Sequence, residues 1–159
     1  MCVQIDTTRS VASQILRHRS FSFQEFSQRY AQVVNTPSLP NFRRQDTSNR
    51  QNSINDLNEY TQQEFQIRTQ DLFDQSLALY NEMLAAGVAK ECARYVRPLS
   101  TPTKLYMNGT LRSWLHYTAL RCANGTQYEH QLIATGVKQL LIEQFPLVSE
   151  AMWPVEKIT

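Results

Sequence analysis

The chain has 159 residues, 42% of them hydrophobic and 19% charged, with a net charge of +2; these values are ordinary for a globular protein that buries a core. No apolar run approaches the ~20 residues a membrane span needs, and Met1 to Asp6 lack the charged-then-apolar layout of a secretory signal. Cys2, Cys92 and Cys122 are odd in number and form no Cys-x-x-Cys pair, which favours reduced thiols in a cytoplasmic protein and disfavours a metal site.

Val3 and Ile5 alternate with polar neighbours, which predicts a strand over Cys2 to Ile5. Asp6 or Thr7 can cap a following helix whose apolar face carries Val11, Ala12, Ile15 and Leu16. Gln14 and Arg17 share another face near its end. The stretch Arg17 to Tyr30 then gathers three arginines, His18, Glu25 and three serines around Phe21, Phe23 and Phe26. Its alternation over Phe21 to Glu25 predicts an extended segment. Residues 35–58, rich in Asn, Gln, Ser, Arg and Pro, read as a long loop, either a flexible insertion or a ligand lid. They lie within a single domain covering 1–159.

Tyr60 to Ala86 reads as a long helix with Phe73, Leu77, Tyr80 and Leu84 inward, stopped by Gly87. A short helix over Ala89 to Val96 ends ahead of Pro98, and Thr101 to Met107 reads as a strand. Asn108 can cap a helix from about Gly109 to Cys122 with Leu111, Trp114, Leu115 and Thr118 inward. Thr126 and Glu129 form a capping box for a last helix ending near Phe145 and Pro146.

Charge lies in blocks. Residues 1–50 hold seven Lys/Arg against three Asp/Glu, residues 51–91 two against seven, residues 92–121 five against none, and residues 122–159 two against four. A general nucleic-acid binder is more often basic throughout. Two basic blocks that meet on folding make a local anion pocket. No Gly-rich phosphate loop, His-Glu-x-x-His pattern or serine elbow occurs. The chain offers anion donors instead: Gln14, Arg17, Arg19, Arg29, Arg94, Arg112 and Arg121. Such a set suits the positioning of nucleotides whose own chemistry does the work. Blander readings stand beside each. Arg17 to Tyr30 can be a solvated basic turn, and Arg94 with Arg97 helix-end charges. Arg112 with His116 can be a surface pair. His130 reads as structural or exposed, and Trp114 as core.

Arg17-His18-Arg19 followed by Ser27 resembles the signature of the flavin-dependent thymidylate synthases. Ala93-Arg94, Pro98-Leu99, Arg112-Ser113-Trp114 and Leu120-Arg121 resemble that family's later segments in the same order, over about Val3 to Ala151. The resemblance implies an α+β fold, a small mostly antiparallel sheet with long helices. It implies conversion of dUMP to dTMP, with methylenetetrahydrofolate as carbon donor and NADPH-reduced FAD as hydride source. It implies FAD contacts at Arg17, His18, Arg19, Ser20, Glu25, Thr110, Arg112 and His116. It implies dUMP contacts at Gln14, Arg17, Glu25, Phe26, Ser27, Gln28, Arg29, Arg94 and Arg121. Arg121 would stabilise the ionised pyrimidine and is the expected catalytic residue. Ser27 is expected at the phosphate rather than as a nucleophile, since nothing activates it. A homotetramer with shared sites is implied, with no nucleic-acid or membrane partner. Family members carry further strands and helices ahead of the position matching Met1. An N-terminally truncated chain is therefore expected, with a non-catalytic or split-enzyme fragment that binds nucleotide as the alternative.

Overall fold

In the computed structural model, which describes residues 1–32 and 39–154, the alternation of Val3 and Ile5 extends into a seven-residue strand, β1 (Cys2–Thr8). Its length is set by its partner: Cys2 faces Asn108 and Thr8 faces Pro102 along the strand Pro102–Asn108. The strand Ser22–Glu25, β2, pairs with the opposite edge of that same partner, Ser22 facing Asn108 and Glu25 facing Leu105. The first helix, α1 (Arg9–Ile15), connects them and buries Val11, Ala12 and Ile15. Leu16 lies past its end and is exposed. Neither Asp6 nor Thr7 caps α1; Thr8 holds that position without a side-chain bond. The helix start is tied instead by the Arg9 and Ser10 amides, which donate to Thr101 and Leu99 carbonyls.

The polar stretch expected as a loop contains a small hairpin, β3 (Arg44–Gln45) against β4 (Ser53–Ile54); residues 35–38 of that stretch lie outside the described residues. Asp46 organises its turn. The carboxylate accepts from the Ser48 amide at 2.8 Å, the Ser48 hydroxyl at 2.7 Å, the Asn49 amide at 3.2 Å and Asn52 Nδ2 at 2.9 Å. These bonds, the Ser48 hydroxyl first, hold its carboxyl well below the usual carboxylate range.

The long helix α2 (Glu59–Ala85) is capped by Asn58, whose side chain accepts from the Thr61 amide. Only Phe73 and Tyr80 on it are buried, and Leu77 and Leu84 are half-buried. A short helix, α3 (Lys90–Ala93), runs into a single 3₁₀ turn, Arg94–Val96. Next comes β5 (Pro102–Asn108), the central strand of the order β1-β5-β2. Thr103, Leu105 and Met107 are buried while Lys104, Tyr106 and Asn108 are exposed; this is the pattern of a sheet with one covered face.

The cover is α1 with α4 (Leu111–Arg121) and α5 (Tyr128–Gln144). Trp114, Tyr117, Ala134, Val137 and Leu141 complete the core with Leu105 and Met107. Trp114 is fully buried, and its indole N–H donates to the Met1 carbonyl at 3.0 Å. Two expected caps fall elsewhere. Asn108 remains in β5, and Thr110 caps α4 by accepting from the Ser113 amide. Gln127 precedes α5 without a side-chain cap bond, and Glu129 turns to Arg43 and Gln127 instead of closing a box with Thr126. The chain also does not end its helices at Pro146. That proline opens α6 (Pro146–Met152) at a first-turn position, where a missing amide proton costs nothing.

Candidate functional site

After α1 the chain turns sharply. The His18 amide donates to the Ile15 carbonyl at 3.1 Å, and the Phe21 amide to the His18 carbonyl at 3.2 Å. This turn seats the His18 ring edge-on against Tyr117, with centroids 5.0 Å apart. There Arg121 Nε donates to His18 Nε2 at 2.9 Å. An arginine nitrogen only donates, so Nε2 must be the bare acceptor and the ring is neutral with its proton on Nδ1. Burial first, then the charges of Arg121 and His116, lower the His18 pKa, which favours that neutral form. Arg121 is the last residue of α4 and remains helical. Its position at the helix end lets it reach the turn while Arg112 stays on the exposed first turn of α4.

Behind His18 lies a second histidine. His130 is fully buried, 6.2 Å ring to ring from His18, with Nδ1 3.2 Å from Gln14 Oε1 and Nε2 3.1 Å from the Tyr117 hydroxyl. Burial, then Arg121 and His18, lower its pKa to about 4. Burial likewise raises the Tyr117 phenol above its ordinary range. Gln14 Nε2 donates onward to Gln127 Oε1. So His18, Gln14 and Arg121, three expected ligand contacts from two parts of the chain, meet over one buried histidine.

A shallow cavity of about 520 Å³ opens beside this group, lined by Arg19, Ser20, Phe21, Ser22, Asn108, Gly109 and Thr110. It joins Arg19 and Ser20 to Thr110, as the resemblance implies. The floor depends on Gly109. A Cβ there would stand 2.5 and 2.7 Å from two carbons of the Phe21 ring, and that ring packs on Trp114 at 4.7 Å. The Thr110 hydroxyl is engaged in capping α4 and pairs with the Ser113 hydroxyl at 3.0 Å. His116 is exposed on α4.

The other half of the motif lies at the far end of β2. Glu25 Oε1 accepts from Arg9 Nη1 at 2.7 Å and from Thr103 Oγ1 at 2.9 Å. Beyond it the chain turns, with the Tyr30 and Ala31 amides on the Ser27 carbonyl. That turn rests on α3: Arg29 donates to Glu91 Oε2 at 3.0 and 3.2 Å, and Lys90 Nζ to the Tyr30 carbonyl at 3.2 Å. Phe26, Ser27 and Arg29 are exposed, whereas Gln28 is buried and its Nε2 has no partner among the described residues.

The arginines divide clearly. Arg9, Arg29, Arg43, Arg44 and Arg68 are paired with carboxylates. Arg17, Arg19, Arg94 and Arg112, all expected ligand contacts, make no side-chain hydrogen bond or ion pair among the described residues, and Arg50 shares that condition. Within the described residues no side-chain hydrogen bond or ion pair joins the Arg29 and Arg94 end to the His18 and Arg121 end. Sequence reasoning missed Tyr117 and Gln127, and the place of Asn108 and Gly109 in the cavity lining. A glycine directly after a strand signals close approach and was the available clue. Among the described residues no cluster of three His, Cys, Asp or Glu side chains is arranged to hold a metal ion. No described helix is long and apolar enough to cross a membrane.

The chain is similar to known proteins. Residues 1–147 match the family described as thymidylate synthase complementing protein. The chain is 49% identical over 152 residues to a probable flavin-dependent thymidylate synthase of Paramecium bursaria Chlorella virus 1, covering 96% of this chain and 70% of the relative. It is 48% identical, with the same coverages, to the flavin-dependent thymidylate synthase of Synechocystis sp.. The fold matches the crystal structure of a UMP/dUMP methylase, PolB, from Streptomyces cacaoi bound with 5-Br UMP. The TM-score is 0.85 at 23% identity, over 95% of this chain and 72% of that one. With a family match over nearly its whole length and relatives at 49% and 48% identity, the chain belongs to the flavin-dependent thymidylate synthase family.

Proposed function

We propose that the chain converts dUMP to dTMP, with methylenetetrahydrofolate as carbon donor and NADPH as the reductant of FAD. One observation carries this reading. Four arginines expected at ligands (Arg17, Arg19, Arg94 and Arg112) make no side-chain hydrogen bond or ion pair among the described residues, while five others are paired with acids. Unpaired guanidinium groups are ready donors to phosphate oxygens. The PolB structures hold 5-Br UMP and 5-Br dUMP, uridine nucleotides of the same class.

The donors present suit a flavin dinucleotide. The cavity beside Gly109 is lined by the polar residues Arg19, Ser20, Ser22, Asn108 and Thr110. Arg19, Ser20, Thr110 and Arg112 would hold the group's phosphates, and His18 with His116 would lie nearer its ring. When bound, FAD supplies the hydride. The protein supplies charge and position. Arg121 brings a fixed positive charge whose Nη groups make no hydrogen bond among the described residues. Facing the pyrimidine, those donors would stabilise negative charge on the ring and favour its ionised form. Gln14 would meet the base edge. Glu25, oriented by Arg9 and Thr103, would accept from a ligand hydroxyl. Ser27, Arg29 and Arg94 would hold the nucleotide phosphate, with Arg29 leaving Glu91 to do so. Since no hydrogen bond or ion pair among the described residues joins the Arg29 end to the Arg121 end, a site shared between chains of a homotetramer fits. The exposed Phe65, Leu72 and Leu79 of α2 recur every seven residues and form one apolar stripe, the seam of a helix that packs on another.

A second reading, nucleotide binding without turnover by this chain alone, is favoured by its 70% span of both relatives. One experiment separates the two. The purified protein is incubated with FAD, tested for dUMP binding, and then supplied with NADPH and methylenetetrahydrofolate. Formation of dTMP is the expected result. Binding of FAD and dUMP without dTMP supports the second reading, and binding of neither overturns both.

A further inference from the structure

Gln14 sits in a chain of side-chain hydrogen bonds whose direction can be worked out atom by atom. Its Oε1 only accepts, so His130 Nδ1, 3.2 Å away, must carry the proton. His130 Nε2 is then a bare acceptor, and the Tyr117 hydroxyl 3.1 Å away is the donor. Gln14 Nε2 donates to Gln127 Oε1, and Gln127 Nε2 donates to Glu129 Oε2 at 2.9 Å. Glu129 is anchored by Arg43, whose Nη2 lies 2.8 Å from Oε1. Every link points the same way, from Tyr117 to a carboxylate. Reversing the Gln14 amide would set its NH2 against the proton of His130 and its oxygen against Gln127 Oε1, breaking two bonds together.

We infer that His130 is a positioning residue: by donating from Nδ1 it fixes the orientation of the Gln14 carboxamide, and with it the donor and acceptor that Gln14 presents to the pyrimidine. The second Gln14 N–H and the second lone pair of Oε1 remain for a ligand. Locked in one orientation, they form an adjacent donor and acceptor, the complement of the edge of a uracil ring. An unlocked amide would present each order part of the time and would bind less tightly. The burial of His130 keeps its ring neutral, as the acceptor role of Nε2 requires. The charged or titratable groups facing it are His18, Arg121 and Tyr117. This inference rests on the reading of Gln14 as a nucleotide contact.

The test uses two amide replacements that each keep one ring nitrogen. His130→Asn places a donor where Nδ1 lies and loses the link to Tyr117. His130→Gln reaches toward Tyr117 and loses the donor to Gln14. His130→Leu removes both. Equilibrium binding of dUMP to the full chain is expected to weaken about tenfold in His130→Leu and His130→Gln, and to stay within about threefold of wild type in His130→Asn. In a Gln14→Ala background His130→Leu should cause no further loss. A merely structural role predicts that affinity follows thermal stability, whichever nitrogen is kept. Wild-type affinity in His130→Leu, or equal losses with and without Gln14, would overturn the inference. A second readout needs no nucleotide. Nitrogen-15 spectra of the free protein should show His130 as the neutral Nδ1–H tautomer and one slowly exchanging Gln14 amide pair. That pair should persist in His130→Asn and exchange freely in His130→Gln. If wild type fails to bind dUMP, the functional reading falls and these spectra alone decide the role of His130; an Nε2–H tautomer would refute it.

Discussion

Arg121 and His18, 103 positions apart in sequence, are joined by one hydrogen bond that leaves no choice of protonation state: Nε donates at 2.9 Å and His18 Nε2 can only accept. The bond places a positive charge at the end of α4 over the turn that follows α1, and it holds the His18 proton on Nδ1. Arg121→Lys keeps the charge but loses the planar fork and the Nε donor. Turnover to dTMP is expected to fall roughly a hundredfold in Arg121→Lys with little change in thermal stability. Undiminished turnover would remove Arg121 from the chemistry.

Buried His130 and half-buried His18 set an acid limit on stability. Both have folded-state pKa values lowered from 6.5, that of His130 to about 4. A lowered histidine pKa means the unfolded chain binds protons first. The stabilisation is therefore complete above pH 6.5 and is lost as pH falls toward and through the folded value. For His130 the shift corresponds to about 3 kcal/mol at most. Urea unfolding at several pH values between 7 and 4 should show the decline, and His130→Leu should flatten it. An unchanged slope in that variant would assign the pH dependence elsewhere.

Gly109 is required by contact. An added methyl would meet the Phe21 ring at 2.5 Å, and the ring is backed by the fully buried Trp114. Gly109→Ala is expected to cost about 1–3 kcal/mol of unfolding free energy and to reduce FAD uptake, read from flavin absorbance after desalting. If Gly109→Ala is as stable as wild type, the ring is free to move and the cavity floor is not fixed.

Arg29 and Glu91 are both about half exposed, 54% and 52%. Such a pair contributes about 0–1 kcal/mol, so a nucleotide phosphate can displace the carboxylate at little cost. Glu91→Gln should tighten dUMP binding by up to about threefold at low salt. Weaker binding would mean that Glu91 holds Arg29 in place for the phosphate.

The apolar stripe on α2 gives a prediction about assembly. Leu72 is 61% exposed, so Leu72→Asp should leave the monomer fold intact. Light scattering is expected to find a smaller particle for Leu72→Asp than for wild type. An unchanged mass would exclude this stripe from the interface.

Periodicity made β1, α2, β5, α4 and α5 legible, because each buries one face and spaces its apolar residues accordingly. The ends of elements were less legible. Asn108 and Thr110 are both good caps two residues apart, and only the pairing of Asn108 with Cys2 and Ser22 decides between them. The hairpin β3–β4 lies in a polar run without alternation; its turn is held by the Asp46 carboxylate and by Gln45 Nε2, which donates to the Asp46, Arg50 and Asn52 carbonyls, and no periodic pattern announces these bonds. The arginines could be read because their chemistry is local to each residue. His130 could not, since its partners Gln14 and Tyr117 lie 116 and 13 positions away and meet only after packing.

The strand order β1-β5-β2 also determines when the molecule can take shape as it is made. The outer strands are complete by residue 25, yet they do not pair with each other, and among the described residues both find their strand partner in residues 102–108. Until that segment has left the ribosome, the first quarter of the chain has no sheet to join. Helix α2, built from local bonds, can form beforehand. Pairing over such separations is slow, and two strands waiting with unpaired edges are exposed to other nascent chains. A ribosome stalled before residue 102 should therefore carry an early segment open to protease, and one stalled well beyond it a protected segment.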